Sequence, residues 1–198
     1  MYKQHLILML SLLCAMHTNA FCLEHRCAIE HEYKENHDMN VESIVTRWQT
    51  YARDIPNWQS LVEGITPRKT GCGLVYELAN PFAGCGESFA IVDMRNIKIS
   101  EPHYHGEPEV EIYIALQGAG LVVVGGKEHK LSQRSPVIIP PNKAHFVIPD
   151  DLVIAVINVP CFKPGNYMVL TKSNASVGFD YDQFLKLSKI DRIETSEK

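Results

Sequence analysis

The stretch "EPHYHGEPEVEIYIALQGAGLVVVGGKEHKLS", residues 101–132, decides the fold class. Within it, "VEIYIAL" (110–116) alternates Glu111 and Tyr113 with Ile112, Ile114 and Leu116, the two-residue period of a strand. A second apolar run, "GLVVVG" (120–125), meets Gly125-Gly126 and continues as "EHKLS" (128–132). Two glycines there supply the positive φ of a tight hairpin turn. Upstream, His103 and His105 are one residue apart, so a strand through them presents both imidazoles to one side, with Tyr104 pointing the opposite way.

The same short β runs recur on either side: "GLVYELA" (73–79), "SFAIVDM" (88–94), "IKIS" (97–100), "PVIIP" (136–140), "HFVIP" (145–149) and "LVIAVINV" (152–159). They are bounded by Gly, Pro, Asn and Asp at intervals of about 8 to 12 residues, the signature of a sandwich or barrel. No helical segment separates them, which argues against a parallel α/β sheet. The chain shows no internal repeat, so one barrel is expected. Before the strands, "NVESIVTRWQTYARDIP" (40–56) reads as an amphipathic helix with Asn40 as N-cap and Pro56 as its stop. Its stripe of Ile44, Val45, Trp48, Tyr51 and Ala52 is expected to pack on the outside of the sheet. A short helix is expected at "DYDQFLKL" (180–187), with "ETSEK" (194–198) as a frayed tail.

The first twenty residues differ in kind. Lys3 precedes the apolar run "LILMLSLLCAM" (6–16), and Thr18 and Ala20 suit the −3 and −1 positions of a signal-peptidase site. That run of about 11 residues is too short for the roughly 20 that span a bilayer. Leu13 and Phe21, preceding Cys14 and Cys22, are too large for lipoprotein cleavage. The expectation is an exported protein, periplasmic or secreted, with a mature chain from about Phe21 and no membrane span in it. Export permits disulfides. Removal of Cys14 leaves Cys22, Cys27, Cys72, Cys85 and Cys161, with Cys22–Cys27 and Cys72–Cys85 as pairs close in sequence. The net charge of −4 and the lack of any Lys/Arg run give no reason to expect a nucleic-acid partner.

The histidines divide into three sets. His25, His31 and His37 recur every six residues in the polar segment 21–40, a spacing that fits neither a helix face nor a strand face. His129 lies between lysines in "KEHKLS" and reads as an exposed strand residue. His103 and His105, by contrast, precede a strand carrying Glu111, and His145 opens another after the turn "PPNKA". Three imidazoles and a carboxylate suit a divalent ion such as Mn, Fe(II), Ni or Zn. No cysteine zinc spacing, G-x-S-x-G elbow or Gly-rich phosphate loop occurs.

These residues resemble the cupin superfamily. Its first motif, G-x5-H-x-H-x3-4-E-x6-G, is matched by His103, His105, Glu111 and Gly118, and its second, G-x5-P-x-G-x2-H-x3-N, by Pro140 and His145. The resemblance covers residues 73–162 and implies an all-β fold, a small antiparallel jelly-roll barrel. It also implies one divalent metal held by His103, His105, Glu111 and His145. Departures from the motifs are Ile97, Arg134, Asn142 and Pro149, at positions of Gly, Gly, Gly and Asn, and one extra residue between His105 and Glu111. Glu109 would restore that gap, but Glu111 keeps the register to Gly118, and a loop absorbs an insertion more readily than a strand. Glu109 is then expected to be solvated at the barrel mouth or to act as a second acid near the metal. Tyr113, on the Glu111 face, is a hydroxyl near the metal or a core tyrosine. Glu109 and Tyr113 are therefore the catalytic candidates.

The expected organisation is a signal peptide (1–20), a polar segment (21–40), a helical or irregular extension (41–72), the barrel (73–162) and a C-terminal extension (163–198). The resemblance implies action on a small organic molecule, as oxidase or dioxygenase, decarboxylase or isomerase, or ligand binding without turnover. Apolar residues on both faces of "LVIAVINV" call for a covering layer, either the N-terminal helix or a second subunit, so a homodimer is expected.

Overall fold

In a computed structural model of the chain, the described residues are 41–55, 57–80, 86–133, 135–174 and 179–189. Residues 1–20, expected to be a signal peptide, the polar segment with its three histidines, Asn40, Pro56, Cys85, Arg134 and the tail lie outside them. The described part is mostly β: a curled antiparallel sheet, with one helix before it and one after it.

Nine strands are found among the described residues: β1 (Arg68–Thr70), β2 (Gly73–Leu78), β3 (Ser88–Asp93), β4 (His103–His105), β5 (Val110–Val124), β6 (Lys127–Leu131), β7 (Val137–Ile139), β8 (His145–Val159) and β9 (Tyr167–Val169). The path β1-β2-β3-β8-β4-β9 forms one side, and β5 joins β8, β7 and β6. Two pairs of short runs read from the sequence are single long strands. "VEIYIAL" and "GLVVVG" form β5, while "HFVIP" and "LVIAVINV" form β8. The turn residues between them bend the strands without ending them. Gly118 in β5 has φ 66° and Asp151 in β8 has φ 48°, and the pairing shifts register on either side of Gln117.

"IKIS" (97–100) is not a strand. Ser100 replaces ladder pairing with its side chain: its N–H donates to the Val147 carbonyl, and its Oγ accepts the Val147 N–H, each at 2.8 Å. The strands β1 and β9, which sequence patterning did not mark, are three residues each and too short to show a period.

The inner face of the sheet buries Val92, Met94, Tyr113, Ala115, Val137, Ile139, Val147, Ile154 and Val156. Its outer face is apolar too, and two helices cover it. Helix α1 (Val41–Arg53) buries Ile44, Val45 and Trp48, and the Trp48 ring lies 4.7 Å from that of Phe89 on β3. Helix α2 (Tyr181–Lys189) sets Phe184 5.2 Å from Phe146 on β8, in a cluster with Val123, Leu170 and Phe179. The apolar surface that suggested a second subunit is thus covered, over these two patches, by the chain's own helices. No helix among the described residues is long and apolar enough to cross a membrane.

Candidate metal centre

The four residues of the site come from three strands, β4, β5 and β8. The backbone of β4 turns His103 and His105 to one side, as their i, i+2 spacing requires, and Tyr104 faces the α2 cluster. His103 pairs with His145 across β4 and β8. Glu111 pairs with Asn158 across β5 and β8, which puts both on the inner face. Asn142, at φ 59°, adopts the left-handed turn ahead of His145, and its N–H donates to the His105 carbonyl at 2.7 Å.

The structure brings His103, His105, Glu111 and His145 together. All four are buried, and one donor atom from each lies within 4.8 Å of the other three. Glu111 Oε2 stands 2.9 Å from His145 Nε2, 3.4 Å from His105 Nε2 and 4.0 Å from His103 Nε2. The opposite ring nitrogens are engaged. His103 Nδ1–H donates to the Glu101 carbonyl at 3.0 Å, and His145 Nδ1–H to the Lys143 carbonyl at 2.9 Å. That fixes the tautomers and aims each Nε2 lone pair inward, as metal-binding histidines require. His105 Nε2, His145 Nε2 and Glu111 Oε2 are buried without hydrogen-bond partners. Buried polar atoms left so are costly unless a cation satisfies them, and this donor set fits a divalent ion.

The charges point the same way. Burial first, then the neighbouring His145, pushes His103 down to about 3, so the ring is neutral. Burial also opposes charge on His105, but the Glu111 and Glu109 carboxylates overcome it and hold the ring up at about 10. Glu111 is held well below the usual carboxylate range, because His105 and His145 outweigh its burial. The cluster is thus an anionic carboxylate among imidazoles that accommodates positive charge.

Glu109 is not solvated at the barrel mouth. It is 2% exposed, and its Oε1 lies 2.7 Å from His105 Nδ1, although the ring N–H is not aligned on that oxygen. Asn158 Nδ2 donates to the same oxygen at 2.8 Å, and Asn166 Nδ2 donates to Oε2 at 2.9 Å. The longer connection between His105 and Glu111 thus sets a buried carboxylate behind the His105 ring. Tyr113 is both a core residue and a neighbour of the site: it is buried, and burial followed by Glu111 and Cys72 holds its phenol well above the usual range. His129 is exposed on β6, away from the cluster.

Sequence reasoning missed Asn158, Asn166, Tyr167, Phe162 and Cys72. The Tyr167 ring lies 4.5 Å from that of His103, and its hydroxyl donates to Glu101 Oε1 at 2.8 Å. Phe162 is 5.8 Å from His105. Cys72 is a free thiol 3.7 Å from the Tyr167 hydroxyl, and burial pushes it up to about 12. Of these, only Asn158 left a signal, as the one polar residue within "LVIAVINV".

No curated protein matches the chain. Among solved structures, a Streptomyces PAC13 variant with uridine is 10% identical over 56% of this chain and 88% of that one, at a TM-score of 0.48. A protein from Planctomyces limnophilus is 23% identical over 54% and 91%, at 0.45. KdgF from Halomonas sp. is 23% identical over 46% and 81%, at 0.38. Residues 92–156 match the family described as "Cupin domain", and that segment runs from β3 to β8 through all four clustered residues. Over residues 92–156 the chain is thus similar to a cupin domain.

Proposed function

We propose that this protein is an exported cupin that holds one divalent metal ion through His103, His105, Glu111 and His145 and uses it on a small organic molecule. The observation that carries the reading is the convergence of inward-facing imidazole nitrogens on Glu111 Oε2, with two of the rings locked from behind by backbone carbonyls. The leader-like residues 1–20 support export. A metal so held supplies Lewis acidity, or open positions for a carboxylate, enolate or dioxygen. The chain's own groups exclude bulk water from the cluster and orient its donors. Half-buried Phe162 and Tyr167 flank the imidazoles with aromatic surface. Oxidation, decarboxylation and isomerisation all remain within this chemistry.

One observation favours the second reading, a small-ligand-binding module without turnover. Glu109, the carboxylate best suited to proton transfer, is engaged by His105, Asn158 and Asn166. Elemental analysis of protein purified without chelators tests the shared core of both readings. One equivalent of a divalent metal is expected, and it should be lost in His103→Ala. A metal-free protein that also fails to take up added zinc would sink both.

A further inference from the structure

After β8 the chain does not leave the site but returns across it. The Phe162 N–H donates to Ser88 Oγ at 3.0 Å, a single three-residue turn (Pro164–Asn166) follows, and β9 then pairs with β4 beside the ligand histidines. The Tyr167 ring lies over His103 and 5.5 Å from His105. None of residues 160–169 is buried, although the three histidines beneath them are at most 4% exposed. A short surface segment with no fully buried side chain belongs to the part of a fold that opens at low free-energy cost.

Asn166 reaches from this segment into the site. Its Nδ2 donates to the Gly106 carbonyl at 2.8 Å and to Glu109 Oε2 at 2.9 Å, while its own carbonyl accepts the Gly106 N–H at 3.1 Å. A Cβ on Gly106 would come within 2.5 Å of Asn166 Oδ1, so a side chain at 106 would displace the Asn166 amide from this pose. The other Glu109 oxygen faces His105 Nδ1 at 2.7 Å. A continuous line of polar contacts thus runs from the surface segment through Glu109 to a ligand imidazole.

We propose that Asn166 is a positioning residue that latches residues 160–168 over the metal centre, so that docking of this strap and metal binding favour each other. The proposal rests on the metal-binding reading above. With Asn166 docked, Glu109 is held where its Oε1 meets His105 Nδ1, and Nε2 points at Glu111. With the strap released, Glu109 gains freedom and water, and His105 loses its orientation. Metal on Nε2 in turn fixes the ring, hence Glu109, hence the acceptor that Asn166 needs. Such coupling is reciprocal: whatever docking adds to metal affinity, metal adds to docking.

Hydrogen-exchange mass spectrometry of the chain with and without zinc tests this. Amides of residues 160–169 are expected to exchange about ten-fold more slowly in saturating zinc. Asn166→Ala should abolish that response, weaken zinc binding about ten-fold, as loss of an outer-sphere partner does, and shift the visible spectrum of the cobalt-loaded protein. Asn166→Asp, which sets a second carboxylate against Glu109, should weaken zinc further. Zinc binding to the wild-type chain with unchanged exchange over 160–169 would overturn the coupling alone, even if the variants failed to fold. A folded Asn166→Ala with wild-type zinc affinity and cobalt spectrum would also overturn it. Failure of the wild-type chain to bind zinc at all would remove the metal reading and the coupling together.

Discussion

His145 Nε2 lies 2.9 Å from Glu111 Oε2, yet on β5, the strand that carries Glu111, His145 pairs with Val124 at the far end. On straight strands these two side chains would be about 40 Å apart. They meet because β5 and β8 fold over together at Gly118 and Asp151, both at positive φ. The four-residue cluster is therefore a product of one shared bend.

Gly118→Ala should disturb that bend twice. The residue would be forced to hold φ 66°, and its Cβ would clash with the Asp151 carbonyl oxygen. A loss of about 2–3 kcal/mol is expected in denaturant unfolding. Zinc affinity should fall with it, since the bend carries Glu111 to His145. Unchanged affinity in a destabilised variant would separate the bend from the site.

The two neighbouring glutamates should respond differently to amide substitution. Glu109→Gln keeps the shape but weakens the acceptor facing His105, so zinc affinity should drop about ten-fold. Glu111→Gln removes the charged donor itself and should cost far more. Competition titrations against a chelator measure both, and the reverse order would make Glu109 the ligand.

Metal should also stabilise the fold, because the four donors converge only in the native state. At a free metal concentration of 100 times Kd the gain is about 2.7 kcal/mol, seen as a rise in Tm that a chelator reverses. His103→Ala should melt at the same temperature with and without added metal.

Asp93 gives the stability of the barrel a pH dependence away from the four-residue cluster. Burial alone would raise this carboxyl, but two hydrogen bonds from the Arg95 guanidinium, at 2.9 and 2.7 Å, hold it below the usual value. With the folded value depressed, its stabilisation is complete above an unfolded pKa of about 3.9 and is lost as pH falls through the folded one. Asp93→Asn should cost about 1–2 kcal/mol at neutral pH. The gap from wild type should close below about pH 4. A gap that is constant from pH 7 to 3 would contradict this.

Trp48 anchors α1. It is fully buried, packs its ring at a tilt against Phe89, and donates from Nε1 to Glu87 Oε2 at 2.7 Å. Trp48→Ala should cost about 3–5 kcal/mol in equilibrium unfolding. A loss below about 1 kcal/mol would mean that the helix does not stabilise the sheet.

Much of the barrel was legible because its cause is local. The alternation in "VEIYIAL", the glycine turn at 125–126 and the stripe through Trp48 each follow from a few adjacent residues. Where a turn residue bends a strand without ending it, local reading failed: Gly118 and Asp151 looked like breaks and are folds within β5 and β8. Of the two expectations for Glu109, the solvated one failed for a related reason, while that of a second acid beside the cluster agrees with its place. A glutamate in a loop reads as solvated, and nothing near it in sequence announces Asn158 and Asn166, which take its two oxygens.

By itself the sequence determined the strand-rich fold class, the helices flanking it, and four donor residues of the right kinds at the right spacings. Side-chain period and turn chemistry act over a few residues, so they are written directly in the chain. Only the tertiary structure decided that the four donors converge, that Glu109 stands behind His105, and that residues 160–168 cross the mouth of the site. Those facts depend on how far two long strands curl and on which distant segment lies over them. No local pattern encodes either distance.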